Sequence, residues 1–158
     1  MKIYENFKPI LKFFYKSIKA YQSNKKLRRI LLVEDTKLLL KSLKKMTNAW
    51  INDLNLTNQF EVISAYDGVD AFAIFKIDHY ISQTIDCIIT DQNMTMMNGL
   101  DLLKLVEKHK MGRNIQQYMC STDNDILKNI TNEQINYLSK PTNKNELKKY
   151  LNELLNCK

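Results

Sequence analysis

The sequence predicts an α/β fold in which a five-stranded parallel sheet is covered by helices on both faces. After residue 27, short apolar runs alternate five times with segments of helical periodicity. Residues 30–33 and 87–90 are continuously apolar, which is typical of strands that are buried on both faces, whereas residues 59–65 alternate. Only three glycines and two prolines occur, which argues against a turn-rich all-β fold. The 158 residues are enough for one domain with a substantial core.

The order of the predicted elements is a strand followed by a helix, repeated five times. The predicted strands are residues 30–33, 59–65, 87–90, 115–120 and 135–139. The helices that follow them are residues 36–54, 69–79, 99–110, 123–130 and 143–155. Asn143 and Glu146 have the spacing of a capping box at the start of the last helix. Residues 28–158 are therefore predicted to form one domain.

Residues 1–27 are predicted to form a basic amphipathic helix and a linker. Its apolar stripe consists of Tyr4, Phe7, Leu11, Phe14, Ile18 and Tyr21, at spacings of three and four residues. Residues 1–29 hold nine Lys or Arg and one acid, so their charge is +8 and the remainder carries −1. Three roles stay open for the helix. It packs on the domain or on a second copy, it makes peripheral membrane contact through residues 1–22, or it binds nucleic acid.

The cysteines and the apolar runs predict a cytoplasmic location. Cys87, Cys120 and Cys157 lack metal-site spacing, and their odd number makes a disulfide framework unexpected. No apolar stretch reaches the roughly 18 residues of a membrane span. Lysines interrupt every N-terminal apolar run, so no secretory signal is expected.

Polar side chains follow four of the predicted strands. Glu34 and Asp35 follow the first strand, Asp91 the third, Ser121 ends the fourth, and Lys140 follows the fifth. The carboxyl ends of parallel strands form one edge of a sheet, where such folds bind ligands. Three carboxylates at one edge repel each other unless a cation lies among them. A hard cation with oxygen ligands, such as Mg²⁺, meets that need.

With these residues in place, the chain from about Arg28 onward resembles a receiver domain of the two-component response-regulator family. The resemblance rests on residues 30–35, Asp67-Gly68, residues 88–94, Asn98-Gly99, Ser121 and residues 137–141. It implies a flavodoxin-like, doubly wound sheet with strand order 2-1-3-4-5. The N-terminal helix is additional to that fold.

The resemblance also implies a chemistry for Asp91. This residue is expected to accept a phosphoryl group from a histidine kinase or a phosphotransfer protein. Glu34, Asp35, Asp91 and the backbone carbonyl of Asn93 are expected to hold Mg²⁺. Positive charge around the phosphoryl oxygens is what phosphoryl transfer mainly requires.

Four further residues are assigned by the same resemblance. Lys140 and Ser121 are expected to contact the phosphoryl group. Ser121 and Tyr137 are expected to act together as a conformational switch. Asn93 and Asp123 match positions that tune dephosphorylation. Beyond slow self-catalysed phosphotransfer and autodephosphorylation, no enzyme activity is expected.

The expected output is a change in protein–protein interactions. The last predicted helix ends near residue 155, so either a stand-alone receiver without a DNA-binding domain or a truncated piece of a longer protein is expected. Its partners are then a downstream protein target and a second copy. The homodimer would form through the N-terminal helix or through the face of the fourth helix, fifth strand and fifth helix.

Two other functions stay open. Thr95 and Thr122 depart from the family pattern beside the site. Thr122 and the short fourth helix leave open a phosphorylation-independent pseudo-receiver that acts as an interaction module, although the five intact site residues argue against it. A Mg²⁺-dependent phosphatase with an aspartate nucleophile is the third candidate. That class needs a second aspartate where Asn93 stands.

Overall fold

The fold is a five-stranded parallel sheet with helices on both sides. The computed structural model describes residues 10–16, 18–19, 27–111, 113–122, 135–140 and 142–156. The strands are β1 Arg28–Val33, β2 Phe60–Ala65, β3 Ile85–Asp91, β4 Gln116–Ser121 and β5 Ile135–Ser139. All neighbours are parallel, in the order β2-β1-β3-β4-β5. This confirms the predicted fold class and the strand order that the resemblance implied.

Five helices accompany the sheet within the described residues. Residues 10–16 and 18–19 form α1. The others are α2 Lys37–Asp53, α3 Gly68–Ile81, α4 Gly99–His109 and α5 Lys144–Asn156. The helix predicted for residues 123–130 lies outside the described residues. So does that part of the predicted dimerisation face, whose fifth strand and fifth helix are described.

The continuous apolar runs give the sheet a core on each face. In β1, Leu31 and Val33 belong to the core beneath α3 and α4. Ile30 and Leu32 belong to the core beneath α2 and α5. Because successive strand residues point to opposite faces, a strand buried on both sides must be apolar at every position. For this reason, continuous apolar runs in the sequence predicted where β1 and β3 lie.

Side-chain caps set where two helices begin, next to the carboxyl edge of the sheet. The Asp67 carboxylate accepts a hydrogen bond from the Asp70 backbone N–H (2.8 Å) at the start of α3. The Asn98 side-chain oxygen accepts one from the Asp101 N–H (2.8 Å) at the start of α4. Each bond satisfies a donor that the first helical turn leaves unpaired.

A buried charge network closes the opposite, amino-terminal edge of the sheet. Asp78 is fully buried and accepts hydrogen bonds from the backbone N–H groups of Thr84 and Ile85. Arg113 and Arg29 lie 3.3 and 3.8 Å from its carboxylate. Arg29 was counted with the basic N-terminal segment on sequence grounds, but it is 2% exposed and belongs to β1. A buried charge is tolerated only when it is paired in this way.

Helix α1 packs onto the sheet beside the edge strand β2. Phe13 is 4% exposed and joins the core beneath α3 and α4, and Ile10 packs against the same core. The Arg29 guanidinium lies 5.0 Å from the centre of the Phe13 ring. Lys16 forms an ion pair with Glu61 of β2. The helix is therefore attached by an aromatic anchor and a charge pair.

The predicted apolar stripe of α1 is not the side of the helix that packs on the sheet. Leu11 and Phe14 of the predicted stripe are 57% and 43% exposed, whereas Phe13 is the buried residue. Apolar residues surround most of this helix, so spacing alone does not show which face meets the sheet. The remaining stripe residues are the half-buried Ile18 and, outside the described residues, Tyr4, Phe7 and Tyr21.

The division into residues 1–27 and 28–158 stays a prediction. The contacts of α1 with β1 and β2 join the two predicted segments into one packed body. Within the described residues, no helix has both the length and the apolar character needed to cross a bilayer.

Two adjacent phenylalanines test the orientation of α1. We expect Phe13→Ala to lower the free energy of unfolding by about 3 kcal/mol, because it opens a cavity in the core. Phe14→Ala should lower it by about 1 kcal/mol or less, because that ring is largely hydrated already. Urea unfolding of both variants measures the difference. Equal losses, or a larger loss for Phe14→Ala, would contradict the assigned face.

Candidate functional site

Strand register brings the predicted site residues to one level at the carboxyl edge. Val33 pairs with Thr90 across β1 and β3, so Glu34 and Asp91 follow at the same height. Asp91 is level with Cys120 of β4, and Ser121 is level with Ser139 of β5. Lys140 then continues directly from β5.

The three carboxylates form one cluster. Glu34, Asp35 and Asp91 each place a carboxylate oxygen within 4.8 Å of the others. Glu34 and Asp91 are 4% and 8% exposed, so two of the negative charges are largely removed from water. Across the described ranges, this is the one group of acidic, histidine or cysteine side chains close enough to hold a metal ion.

Backbone N–H groups orient two of these acids. The Thr36 N–H donates to Glu34 Oε1 at 3.1 Å. The Thr95 N–H donates to Asp35 Oδ2 at 3.1 Å and ties the loop after β3 to the end of β1. The other oxygen of Asp35 accepts a hydrogen bond from the Thr36 hydroxyl at 3.4 Å, and that of Glu34 contacts Lys140.

Lys140 partly neutralises the cluster. Its ammonium nitrogen lies 2.8 Å from Asp91 Oδ1 and 2.7 Å from Glu34 Oε2. Burial alone would lower the pKa of Lys140, but hydrogen bonds to Asp91 and Glu34 and their negative charges outweigh it. The pKa of Lys140 is therefore raised. The lysine is held in its charged form.

The hydroxyl residues lie next to this lysine. Ser121 is 1% exposed, and its carbonyl accepts a hydrogen bond from the Lys140 N–H at 2.9 Å. Thr122, which follows it, is exposed. Thus the Ser121 backbone is bonded to the residue that contacts the carboxylates, whereas Thr122 is at the surface.

Tyr137 points into the protein from β5. The residue is half-buried and packs against the core beneath α3 and α4. Its hydroxyl oxygen is buried and has no hydrogen-bond partner in the part of the chain that is described. Burial raises the pKa of this phenol. An unpaired buried hydroxyl costs about 1–3 kcal/mol, so this inward position is not strongly favoured.

Two predicted residues are not brought into the cluster by any described contact. The Asn93 side chain is exposed in the loop after β3, and the metal-binding role of its carbonyl stays a prediction. Asp123 lies outside the described residues, and its role stays a prediction as well.

Sequence reasoning missed the residues that fix the loop after β3. A Cβ atom on Gly99 would lie 2.3 Å from the Asp91 carbonyl oxygen, so only glycine fits there. The Gln92 side chain accepts a hydrogen bond from the Leu100 N–H (3.0 Å), and its carbonyl accepts one from the Gly99 N–H (3.1 Å). The Asn98-Gly99 pair signalled a loop but not this close approach to the acceptor strand.

Exposed apolar side chains surround the cluster. They lie at the starts of α2 and α3 and in the loops after β2 and β3. Their exposed fractions are 75% for Leu38, 47% for Leu39, 44% for Tyr66, 46% for Val69 and 85% for Met96. Several exposed apolar side chains at one edge of the protein, like this apolar rim, are a feature of protein interaction sites.

Comparison with known proteins gives one family match. The model of the response regulator receiver domain matches residues 30–152. The Chemotaxis protein CheY homolog of Campylobacter jejuni is 28% identical over 130 residues, which cover 80% of this chain and 92% of that protein. Two-component response regulator-like APRR9 of Arabidopsis thaliana is 35% identical over 92 residues, or 56% of this chain. The chain spans only 16–25% of the length of three such Arabidopsis relatives.

Solved structures share the fold. Chemotaxis response regulator CheY4 of Vibrio cholerae has a TM-score of 0.62 at 25% identity, and the match covers 81% of this chain and 98% of that one. The receiver domain of the sensor histidine kinase PA1611 of Pseudomonas aeruginosa has a TM-score of 0.63 at 20% identity. That match covers 82% of this chain and 98% of the other, whose structure has a magnesium ion coordinated in its active site cleft.

The close approach at Gly99 gives a test of the site geometry. We expect Gly99→Ala to lower the free energy of unfolding by about 3 kcal/mol, because the new Cβ collides with the backbone of Asp91. The neighbouring change Asn98→Ala removes a helix cap and should cost about 1 kcal/mol. Urea unfolding compares the two variants. A Gly99→Ala protein as stable as the wild type would contradict the described packing.

Proposed function

Because the chain belongs to the response regulator receiver domain family, we propose that it accepts a phosphoryl group on Asp91. Receiver domains are phosphoacceptor signalling modules rather than enzymes in the usual sense. The observation that carries the proposal is the contact of Lys140 with both Asp91 and Glu34 inside a three-carboxylate cluster. These residues supply an acceptor, candidate metal ligands and a fixed positive charge.

The residues present fit a divalent cation. Three carboxylates and one ammonium leave the cluster with a formal charge of −2, and every candidate ligand atom is oxygen. Glu34, Asp35, Asp91 and the backbone carbonyl of Asn93 would hold Mg²⁺, which prefers oxygen ligands. When bound, Mg²⁺ supplies positive charge to the phosphoryl oxygens and to the attacking carboxylate.

The proposed step transfers a phosphoryl group from a phosphohistidine. A carboxylate oxygen of Asp91 attacks phosphorus, the bond between phosphorus and the imidazole nitrogen breaks, and its electron pair returns to the imidazole. Lys140 Nζ already contacts Asp91 Oδ1, so it lies within reach of a phosphoryl group bonded to that side chain. Its charge offsets the negative charge that the transferred group brings.

The proposed phosphodonor is a histidine kinase or a phosphotransfer protein that docks around the site. The exposed apolar rim described above supports this role, since a partner must cover it to bring its histidine to Asp91. A downstream protein target would bind the phosphorylated form.

A cytoplasmic location is part of the proposal. Cys87 and Cys120 are free, and burial raises the pKa of the Cys120 thiol to about 12.

Signal output is proposed to depend on Ser121 and Tyr137. A phosphoryl oxygen beside Ser121 would accept a hydrogen bond from the Ser121 hydroxyl. This bond would draw the end of β4 toward the site. The buried hydroxyl of Tyr137 has no hydrogen-bond partner among the described residues. The cost of burying it offsets part of the free energy that is gained by burying the ring. A small free-energy difference between inward and outward positions is what a two-state element requires.

A pseudo-receiver is the second candidate function. The Arabidopsis relatives are named response regulator-like, and Thr95 and Thr122 flank the site where the family pattern differs. In this case Lys140 would serve to hold Glu34 and Asp91 together as a permanent charge cluster. The apolar rim would then be a constitutive docking surface.

Phosphorylation of Asp91 can be tested with a small-molecule donor. Acetyl phosphate with Mg²⁺ should add the mass of one phosphoryl group, because an acyl phosphate forms on the Asp91 carboxylate. Asp91→Asn should remain unmodified, whereas Asp101→Asn, an exposed control on α4, should be labelled like the wild type. Intact-protein mass spectrometry at neutral pH measures all three, with EDTA as the metal-free control. Equal labelling of Asp91→Asn and the wild type would exclude Asp91 as the acceptor.

Beryllofluoride separates the receiver from the pseudo-receiver. This anion stands in for the phosphoryl group on an aspartate. With Mg²⁺, it should shift the amide NMR signals of Ser121 and Tyr137 in the wild type and leave those of Asp91→Asn unchanged. A wild-type spectrum that does not respond would favour the pseudo-receiver.

A further inference from the structure

Helix α1 carries an apolar face that the described residues leave uncovered. Phe13 and Ile10 face the core, as described above. Leu11, Phe14 and Tyr15 lie on the other side of the helix and are 57%, 43% and 61% exposed. None of the described residues covers them. One short helix thus has an anchored side and a free apolar side.

Lysines flank this free side. Lys12 and Lys19 are exposed, and the Lys19 ammonium lies 4.9 Å from the centre of the Tyr15 ring. Lys16 is used in part by its ion pair with Glu61. On a helical projection the lysines lie beside the outer apolar face, next to Tyr15. This is the arrangement of a helix that lies at a boundary between an apolar and a charged phase.

The charge of the segment argues against a second copy as the occupant. With Arg28 and Arg29 assigned to β1, seven of the nine basic residues precede the strand, and Glu5 is the sole acid. The segment therefore carries +6, and two such helices brought face to face would repel each other. An anionic surface is the complementary partner.

The apolar part of the face distinguishes between anionic partners. Nucleic acids are contacted mainly through phosphate, sugar and base edges, for which a leucine and two aromatic rings in a row are poorly suited. A bilayer surface offers both acyl chains for the apolar side chains and negative headgroups for the lysines. Because no described helix is long enough to cross a bilayer, α1 would lie in its surface.

We propose that α1 docks the protein onto an anionic membrane surface through Leu11, Phe14 and Tyr15, with Lys12 and Lys19 contacting lipid headgroups. The attachment to the domain through Phe13 and Lys16 remains in place. Since that attachment uses the opposite side of the helix, docking needs no rearrangement of the domain.

Vesicle sedimentation of the full chain tests this. The wild type should sediment with vesicles of phosphatidylcholine that contain phosphatidylglycerol and should stay in solution with phosphatidylcholine alone. The double variant Leu11→Ser, Phe14→Ser should lower the partition coefficient on the order of tenfold, through lost apolar burial. Lys12→Gln with Lys19→Gln should lower it on the order of tenfold as well, and added salt should weaken wild-type binding.

The control is Leu54→Ser, which removes an exposed leucine outside α1 and outside the apolar rim and should bind like the wild type. Thermal unfolding should be unchanged in the lysine variants and should stay cooperative in the double variant, because the substituted side chains are exposed. Wild-type protein that ignores the anionic vesicles, or a Leu11, Phe14 double variant that binds them equally, overturns the proposal. The proposal is also overturned if the wild type forms a dimer in light scattering, or binds a DNA duplex, and the same double variant abolishes that dimer or that binding.

Discussion

The contact of Lys140 with Asp91 and Glu34 depends on nearly everything else in the fold. The three residues follow β5, β3 and β1, which are not neighbours along the chain. They meet because five parallel strands keep one register and end at one edge. A slip of one strand would reverse its side chains between the two cores, and both cores resist that exchange. The apolar layers therefore hold the charges in place.

The separation of apolar layers from charged strand ends explains what the sequence could predict. Strands β1 and β3 and their polar ends were located because a strand buried on both faces must be apolar throughout, and the first polar residue then marks its end. Glu34 and Asp91 were found in that way, whereas Lys140 follows the more polar strand β5. The roles assigned to Asn93 and Asp123 came from resemblance alone, and described contacts add nothing to them.

Three features escaped prediction for a common physical reason, which is that each depends on a partner distant in sequence. Phe13 faces inward because it packs against Arg29 and the core beneath α3 and α4. The periodicity of α1 alone does not show this. The sequence grouped Arg29 with the basic residues of the N-terminal segment, whereas its guanidinium lies beside the buried Asp78 carboxylate. Gly99 looked like a loop signal, although it is a steric requirement of the Asp91 backbone.

The position of α1 has a consequence for solubility. Strand β2 is an outer strand of the sheet, and such a strand offers unpaired backbone groups on one side as a template for another chain. Lys12, Phe13 and Lys16 line a groove together with Val62, Ile63 and Ser64 of this strand, and Lys16 is paired with Glu61. Helix α1 therefore lies beside the strand and hinders another chain from pairing with it. A chain that began at β1 would lack this obstruction.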